Sequence, residues 1–477
     1  MSVPELVEQG ITALKANQFA EAESLLTKIG DIDNQNGKAL FLLGLAQLWS
    51  DQFDEAIRTF RKYLKRNTNN KFAWYYLGEA LANYKSPWCV GPFVEIEEAE
   101  EAYLKAIELD DQYVEPRLGL ANLNKRENHQ FKKAIEIALQ ATEISPNIAD
   151  TWRILGTMLV QQLAFGEKRR NIETEDPLKP FEGIGNIQDL AQEAFQKAVN
   201  LDPKNSENWA KFGDYYSFCG KMEKAIECYQ RAVELEPTFV PYLTKLGDMT
   251  FETKNYTLAE KVYLQLSRLQ PKYEFNLALA YHRQEQYEKA EKLFHKLLNS
   301  DQDTYYYSQD LIIYYLGEIY FDTERYEKAE NCFLQIAEDY LNALFFLSRI
   351  CHNKGDIAQA KQYLYEILDE DENYTLIWHE LAFNHATEEN YELAKDAFIQ
   401  AVRLDGKYEE QVIKSLTKWY TEAGKEDELS DAIDEVKANS DQGKITVTTQ
   451  KWKIVDGVKP IPDSKKILKK EVLESLE

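Results

Sequence analysis

The nine residues QYEKAEKLF at 286–294 return as RYEKAENCF at 325–333, 39 positions on. Looser copies of the phrase run along most of the chain. An apolar residue is followed three places later by alanine at Phe19/Ala22, Phe53/Ala56, Phe131/Ala134, Met222/Ala225, Tyr256/Ala259, Tyr287/Ala290, Tyr326/Ala329, Ile357/Ala360 and Tyr391/Ala394. Four places past the alanine comes another large or apolar residue in most copies, at Leu26, Phe60, Tyr229, Tyr263, Phe294, Phe333, Leu364 and Phe398. Self-similarity at a near-fixed period outranks other sequence signals, because it demands one structural unit used many times. At 477 residues the chain exceeds one ordinary globular core. A repeat array escapes that limit, since each unit packs only on its neighbours.

Within the repeat the period is helical. In 206–237, SENWAKFGDYYSFCGKMEKAIECYQRAVELEP, apolar residues fall at three- and four-residue steps in two runs. Cys219-Gly220-Lys221 separates the runs and Pro237 stops the second. The spacing predicts two amphipathic helices joined by a short turn. Trp209, Phe212, Gly213 and Tyr216 stand on the first helix, and Ala225, Tyr229, Ala232 and then Pro237 on the second. In these positions the stretch resembles a tetratricopeptide repeat, a helix–turn–helix unit of about 34 residues. Its small residues let two helices approach closely.

The same ruler gives twelve units over residues 3–440. The small first-helix position falls at Gly10, Gly44, Gly78, Ala121, Gly156, Gly213, Gly247, Ala278, Gly317, Ser348, Ala382 and a degenerate Leu416. The second-helix alanine follows at Ala22, Ala56, Ala99, Ala134, Ala191, Ala225, Ala259, Ala290, Ala329, Ala360 and Ala394, with Glu428 in the twelfth unit. The third and fifth units carry insertions near 84–98 and 165–188, expected in the turn between their two helices. Each is either a tolerated surface loop or a flap bearing Trp88, Phe93 or Phe181. The segment 441–477 leaves the repeat and carries eight lysines against six acids. It reads as a disordered tail or a short strand-like extension, or as a segment folded back on the acidic body.

Net charge is −25, which keeps an open molecule soluble and disfavours nucleic acid as a partner. Cys89, Cys219, Cys228, Cys332 and Cys351 are dispersed, as expected of reduced thiols in a cytoplasmic protein. Neither a signal peptide nor a stretch of about 18 apolar residues is read, so no membrane insertion is expected. The motifs of phosphate loops, zinc proteases and serine hydrolases are missing. His379 and His385 are six apart, a poor fit to one helical face. No cofactor, no metal and no catalysis are expected.

The resemblance implies an all-α, right-handed superhelical solenoid whose first helices line a concave groove. Carried onto this chain, the family's groove positions form zones. Phe41, Leu45, Trp49, Phe72 and Tyr75 make an aromatic patch, and Asn122, Lys125, Arg126 and Arg153 a basic pocket suited to an acidic peptide. Glu207, Asp214, Asp248 and Glu252 make an acidic stretch. Tyr314, Phe345, Arg349 and His379 belong to a mixed wall with Phe275, His282, Arg283, Glu318, Phe321, His352 and Phe383. Aromatics and arginine are what peptide hot spots use, though packing between repeats also accounts for Phe41, Tyr75 and Phe345. Some family members clamp a terminal carboxylate with lysine, asparagine and arginine over successive repeats. Here Tyr75 and Glu79 stand where the lysine is needed, so that clamp is not carried over. The expected function is a protein-interaction scaffold or adaptor holding a peptide or partner protein in the groove. The alternatives are a structural subunit of a larger complex or homo-oligomer and, third, the regulatory arm of an enzyme.

Overall fold

The computed structural model describes residues 2–33, 36–84, 93–126, 131–170, 186–300 and 307–443. The chain divides into two compact halves, Met1–Thr253 and Lys254–Glu477. Twenty-four α-helices and no strand are found among the described residues. None of these helices is long and apolar enough to cross a membrane.

The N-terminal half holds α1 (Val3–Lys15), α2 (Phe19–Ile32), α3 (Gly37–Trp49) and α4 (Phe53–Leu64). It continues with α5 (Lys71–Asn83), α6 (Phe93–Leu109), α7 (Glu115–Arg126), α8 (Phe131–Ile144) and α9 (Ala149–Arg170). It ends with α10 (Ile187–Leu201), α11 (Ser206–Phe218), α12 (Met222–Leu235) and α13 (Val240–Glu252). The C-terminal half opens on α14 (Tyr256–Leu269), followed by α15 (Glu274–His282), α16 (Tyr287–Leu298), α17 (Gln309–Asp322) and α18 (Tyr326–Ile336). It closes with α19 (Leu341–Lys354), α20 (Ile357–Glu370), α21 (Thr375–Thr387), α22 (Tyr391–Leu404), α23 (Glu409–Glu422) and α24 (Glu426–Gly443). Within each half, consecutive helices pair as hairpins, and each second helix also packs on the next first helix. First helices touch one another along the row α1, α3, α5, α7, α9, α11 and again between α17 and α19.

The repeated phrase has a steric cause. All eleven second-helix alanines, from Ala22 to Ala394, have no solvent exposure. The large residue one turn later lies against the small first-helix position of the same hairpin. A Cβ on Gly44 would stand 2.7 Å from Phe60, and one on Gly317 would stand 2.7 Å from Phe333. Gly78 with Tyr103, Gly156 with Phe195 and Gly213 with Tyr229 repeat the arrangement. A small residue facing a ring is thus what sets the spacing of the two helices.

The turns are equally regular. Seven residues past the small position the backbone takes the left-handed conformation, at Asn17, Asp51, Gly220, Glu285, Glu324, Gly355 and Glu389. The next residue's N–H donates back to the first helix, as Lys221 does to Tyr216 and Arg325 to Tyr320. That is the helix-ending bond pattern that glycine favours. Glu285, Glu324 and Glu389 hold φ of 58°, 59° and 60° with a side chain in place. Changing each of the three to glycine therefore raises stability by about 0.5–1 kcal/mol, read as a higher denaturant midpoint. A lower midpoint would count against this account of the turns.

Between hairpins, the indole N–H of a first-helix tryptophan ties down the preceding loop. Trp74, Trp152, Trp209 and Trp378 each donate to the carbonyl six residues earlier, at 2.7–2.9 Å. Asp110, Asp202, Asp371 and Asp405 accept from the backbone N–H two residues on, which shapes the loops before α7, α11, α21 and α23.

Three details differ from the sequence reading. In the last hairpin the left-handed residue is Gly424, eight places past Leu416. The register is therefore one residue later, and Thr417 occupies the place expected for Leu416. Glu428 is exposed, and Ala432 and Val436 are the buried hydrophobic residues of α24, which also packs on α22. The insertions are shorter as loops than expected, because residues 93–98 belong to α6 and 165–170 to α9. Helix α24 runs to Gly443 rather than ending at 440. Trp88, Phe181, the side chain of Phe93 and the tail from 444 onward lie outside the described residues.

Candidate protein-binding surface

In the N-terminal half, the ends of α1, α3 and α5 surround an open cleft of about 800 Å³. Trp49 and Tyr75, two of the expected site residues, line it together with Lys15, Phe19, Glu79 and Asn83. Trp49 keeps 43% of its surface exposed, its ring 5.7 Å from that of Phe19. Tyr75 is half-buried against Tyr113 at 5.6 Å, and burial pushes its phenol well above the ordinary range. Glu79 accepts a 2.7 Å hydrogen bond from the Tyr103 hydroxyl. The cleft therefore offers aromatic walls, with the side chains of Lys15, Asp51 and Glu79 also in its lining.

The expected basic pocket is not what Arg153 forms. Its guanidinium is bonded to Glu207 at 2.8 Å and to Asp150 at 3.0 Å, with a side-chain exposure of 15%. Glu207 came from the zone read as acidic, so basic and acidic positions 54 residues apart neutralise each other. Asn122 is half-buried, and the side chains of Lys125 and Arg126 lie outside the described residues. Asp214 accepts from the Tyr229 hydroxyl at 2.6 Å and from Lys211 at 3.3 Å. Asp248 and Glu252 are exposed on α13.

In the C-terminal half the first helices are more deeply buried than their sequence pattern suggested. Tyr314 and Phe345 keep 0% and 2% of their surface, so both are core residues rather than exposed anchors. The cause is the close flanking of α17 and α19 by neighbouring helices. Tyr314 packs on Phe333, Tyr340 and Phe346, and donates to Glu318 at 3.0 Å. Burial pushes the Glu318 carboxyl up, while His282, 3.8 Å away, pulls it down. His379 is buried among Phe383, Phe398 and Tyr408, and burial lowers its imidazole to about 4. It is neutral at pH 7 and belongs to the packing of α21 on α22.

Arg349 differs from these. It is partly exposed on α19, with its guanidinium 5.0 Å from the ring centre of Phe321 and 5.8 Å from that of Phe345. One turn on, His352 Nδ1 is 3.0 Å from Asn384 Oδ1. Glu380 of α21 is the nearby acid. Burial raises its carboxyl, and Arg349 and His352 oppose that shift. Glu380 and Asn384 were not legible as site residues, because they reach this place from the following helix. Among the described residues no cluster of three or more histidine, cysteine or acidic side chains could hold a metal ion.

Comparison with known proteins bears on the fold. Residues 184–338 match the family model of the cilia and flagella-associated protein 70 middle TPR-like domain. Residues 13–81 and 314–375 match two tetratricopeptide repeat models. Among curated proteins, the peroxisomal targeting signal receptor of Candida glabrata is 33% identical over 118 residues, 25% of this chain and 18% of the receptor. The human superkiller complex protein 3 is 33% identical over 78 residues, 16% of this chain and 4% of that protein. The chain thus spans under a fifth of each of these relatives. Among solved structures, a chain of the APC/C hetero-tetramer Cut9–Hcn1 aligns over 91% of this chain and 96% of its own length, with 14% identity and a TM-score of 0.35. A thermophilic TPR protein of Thermus thermophilus aligns over 45% of this chain and 98% of its own, with 14% identity and a TM-score of 0.35.

Proposed function

Because the chain belongs to the tetratricopeptide-repeat proteins, whose fold serves as a protein-interaction scaffold, we propose that it holds an extended peptide or partner helix against its first helices. The observation that carries this reading is the open cleft walled by Trp49 and Tyr75. A large, partly exposed aromatic surface in a preformed recess favours binding, because it buries much area while few rotamers are lost. The likeness to a protein named as a receptor for a targeting signal supports it, over a quarter of the chain. The work is recognition by shape, aromatic contact and local charge, with the partner's chemistry supplying the selectivity.

Photo-crosslinking tests it. A benzophenone side chain is placed at Tyr75 or Phe383 on first helices, or at the exposed Leu104 or Tyr365 on second helices. Irradiation in native lysate should join partners to the first-helix positions and leave the second-helix ones unreacted. Partners joined only at Leu104 and Tyr365 would reject the first-helix surface.

A further inference from the structure

We infer that Arg349 is the docking point for a side-chain carboxylate carried by an acidic segment of the bound polypeptide; this rests on the first-helix reading above. The chain has 81 acidic residues against 56 lysines and arginines, and several of its arginines are held by partners within the chain. Arg153 is held by Asp150 and Glu207, Arg325 by both carboxylate oxygens of Glu291, and Arg403 by Asn439. Arg349 has no hydrogen-bond acceptor and no ion-pair partner among the described residues. Its guanidinium lies over the faces of Phe321 and Phe345, and the buried Glu380 acts on it electrostatically without forming an ion pair.

That arrangement points to a ligand for three reasons. Partial burial removes part of the hydration of five N–H donors and replaces it with ring faces, which accept weakly. The rings also restrict where the planar fork can lie, so the ordering cost is met before binding. A fork held in this way matches the two oxygens of a carboxylate. Glu380 does not fill the role. It forms no ion pair with Arg349, and burial favours the neutral form of its carboxyl. One turn on from Arg349, Asn384 occupies Nδ1 of His352. The phenyl shoulders suit an apolar neighbour, so the preferred element is an acidic residue next to an apolar one.

The test uses the full chain. A random-peptide phage library is panned on the wild type and on Arg349→Gln. The leading wild-type peptide is then made with both ends capped, as its Asp/Glu-to-Asn/Gln analogue, with a free C-terminus, and with phosphoserine in place of the acid. Binding is followed by fluorescence anisotropy after circular-dichroism melts show that the variants fold as the wild type does. Wild-type panning should enrich acidic residues beside apolar ones, and Arg349→Gln should weaken the capped peptide about 10- to 100-fold. Arg349→Lys should fall between the two, since it keeps the charge and loses the fork. The amide analogue should bind wild type and Arg349→Gln alike. Selected peptides without acids, or acidic peptides indifferent to Arg349→Gln, overturn the inference. Binding by the free C-terminus alone, or far tighter binding of phosphoserine, overturns the side-chain carboxylate in favour of those groups. If such peptides still crosslink at Tyr75 or Phe383, the first-helix surface survives; if no peptide is selected and no first-helix crosslink forms, both readings fall.

Discussion

Gly317→Val destabilises the protein by about 3 kcal/mol and Phe333→Ala by about 4 kcal/mol, yet the double variant loses about 2 kcal/mol less than their sum. The first change puts a branched side chain where even a Cβ would lie 2.7 Å from the Phe333 ring. That ring has nowhere to go. It has no solvent exposure, and it stacks on Phe346 with centres 4.8 Å apart and planes 6° from parallel. The second change empties the space that the first one overfills, which is the source of the coupling. Denaturant unfolding of the four proteins gives the cycle, and hydrogen exchange over α17 and α18 reports where the loss falls. Strict additivity would mean that the small-to-large pairing is not what sets the helix spacing. In a repeat array such a loss at one hairpin also weakens the interfaces on both sides of it.

Acidification from neutral pH to about pH 4 costs the wild type about 3 kcal/mol relative to His379→Leu. The imidazole of His379 is lowered from an ordinary 6.5 to about 4, because its apolar surroundings penalise the charged ring. As pH falls below 6.5, the unfolded chain takes up a proton at this position and the folded chain does not. Stability from this group is thus fully present above 6.5, declines below it, and is lost by about pH 4. Glu318 and Glu380 work in the opposite direction, since burial raises both carboxyls and folding is favoured as they gain protons. For that reason the quantity to measure is the difference between wild type and variant, as denaturant midpoints across the pH range. Parallel profiles for the two proteins would remove His379 as the cause.

The groove positions taken from the family's pattern separate into two groups for a physical reason. Trp49 and Tyr75 stay accessible where the ends of α1, α3 and α5 leave an open cleft. Tyr314 and Phe345 stand at comparable positions but are buried, Tyr314 against Phe346 of α19 and Phe345 beside Phe346 on its own helix, and they become core. Arg153 and Arg349 both read as available cations, yet one is ion-paired with Glu207 from the next first helix and the other lies over rings with no ion pair among the described residues.

The hairpin itself was determined by the sequence alone. A small residue, a left-handed turn seven places later, an alanine and then a ring are local offsets along one chain, and the steric demand that links them operates within about 34 residues. Whether a first-helix side chain ends up open, paired or buried was decided only by the tertiary structure. That outcome depends on how closely the neighbouring helices approach and on which charges they bring. Those distances belong to the stacking of several hairpins, so no single repeat encodes them.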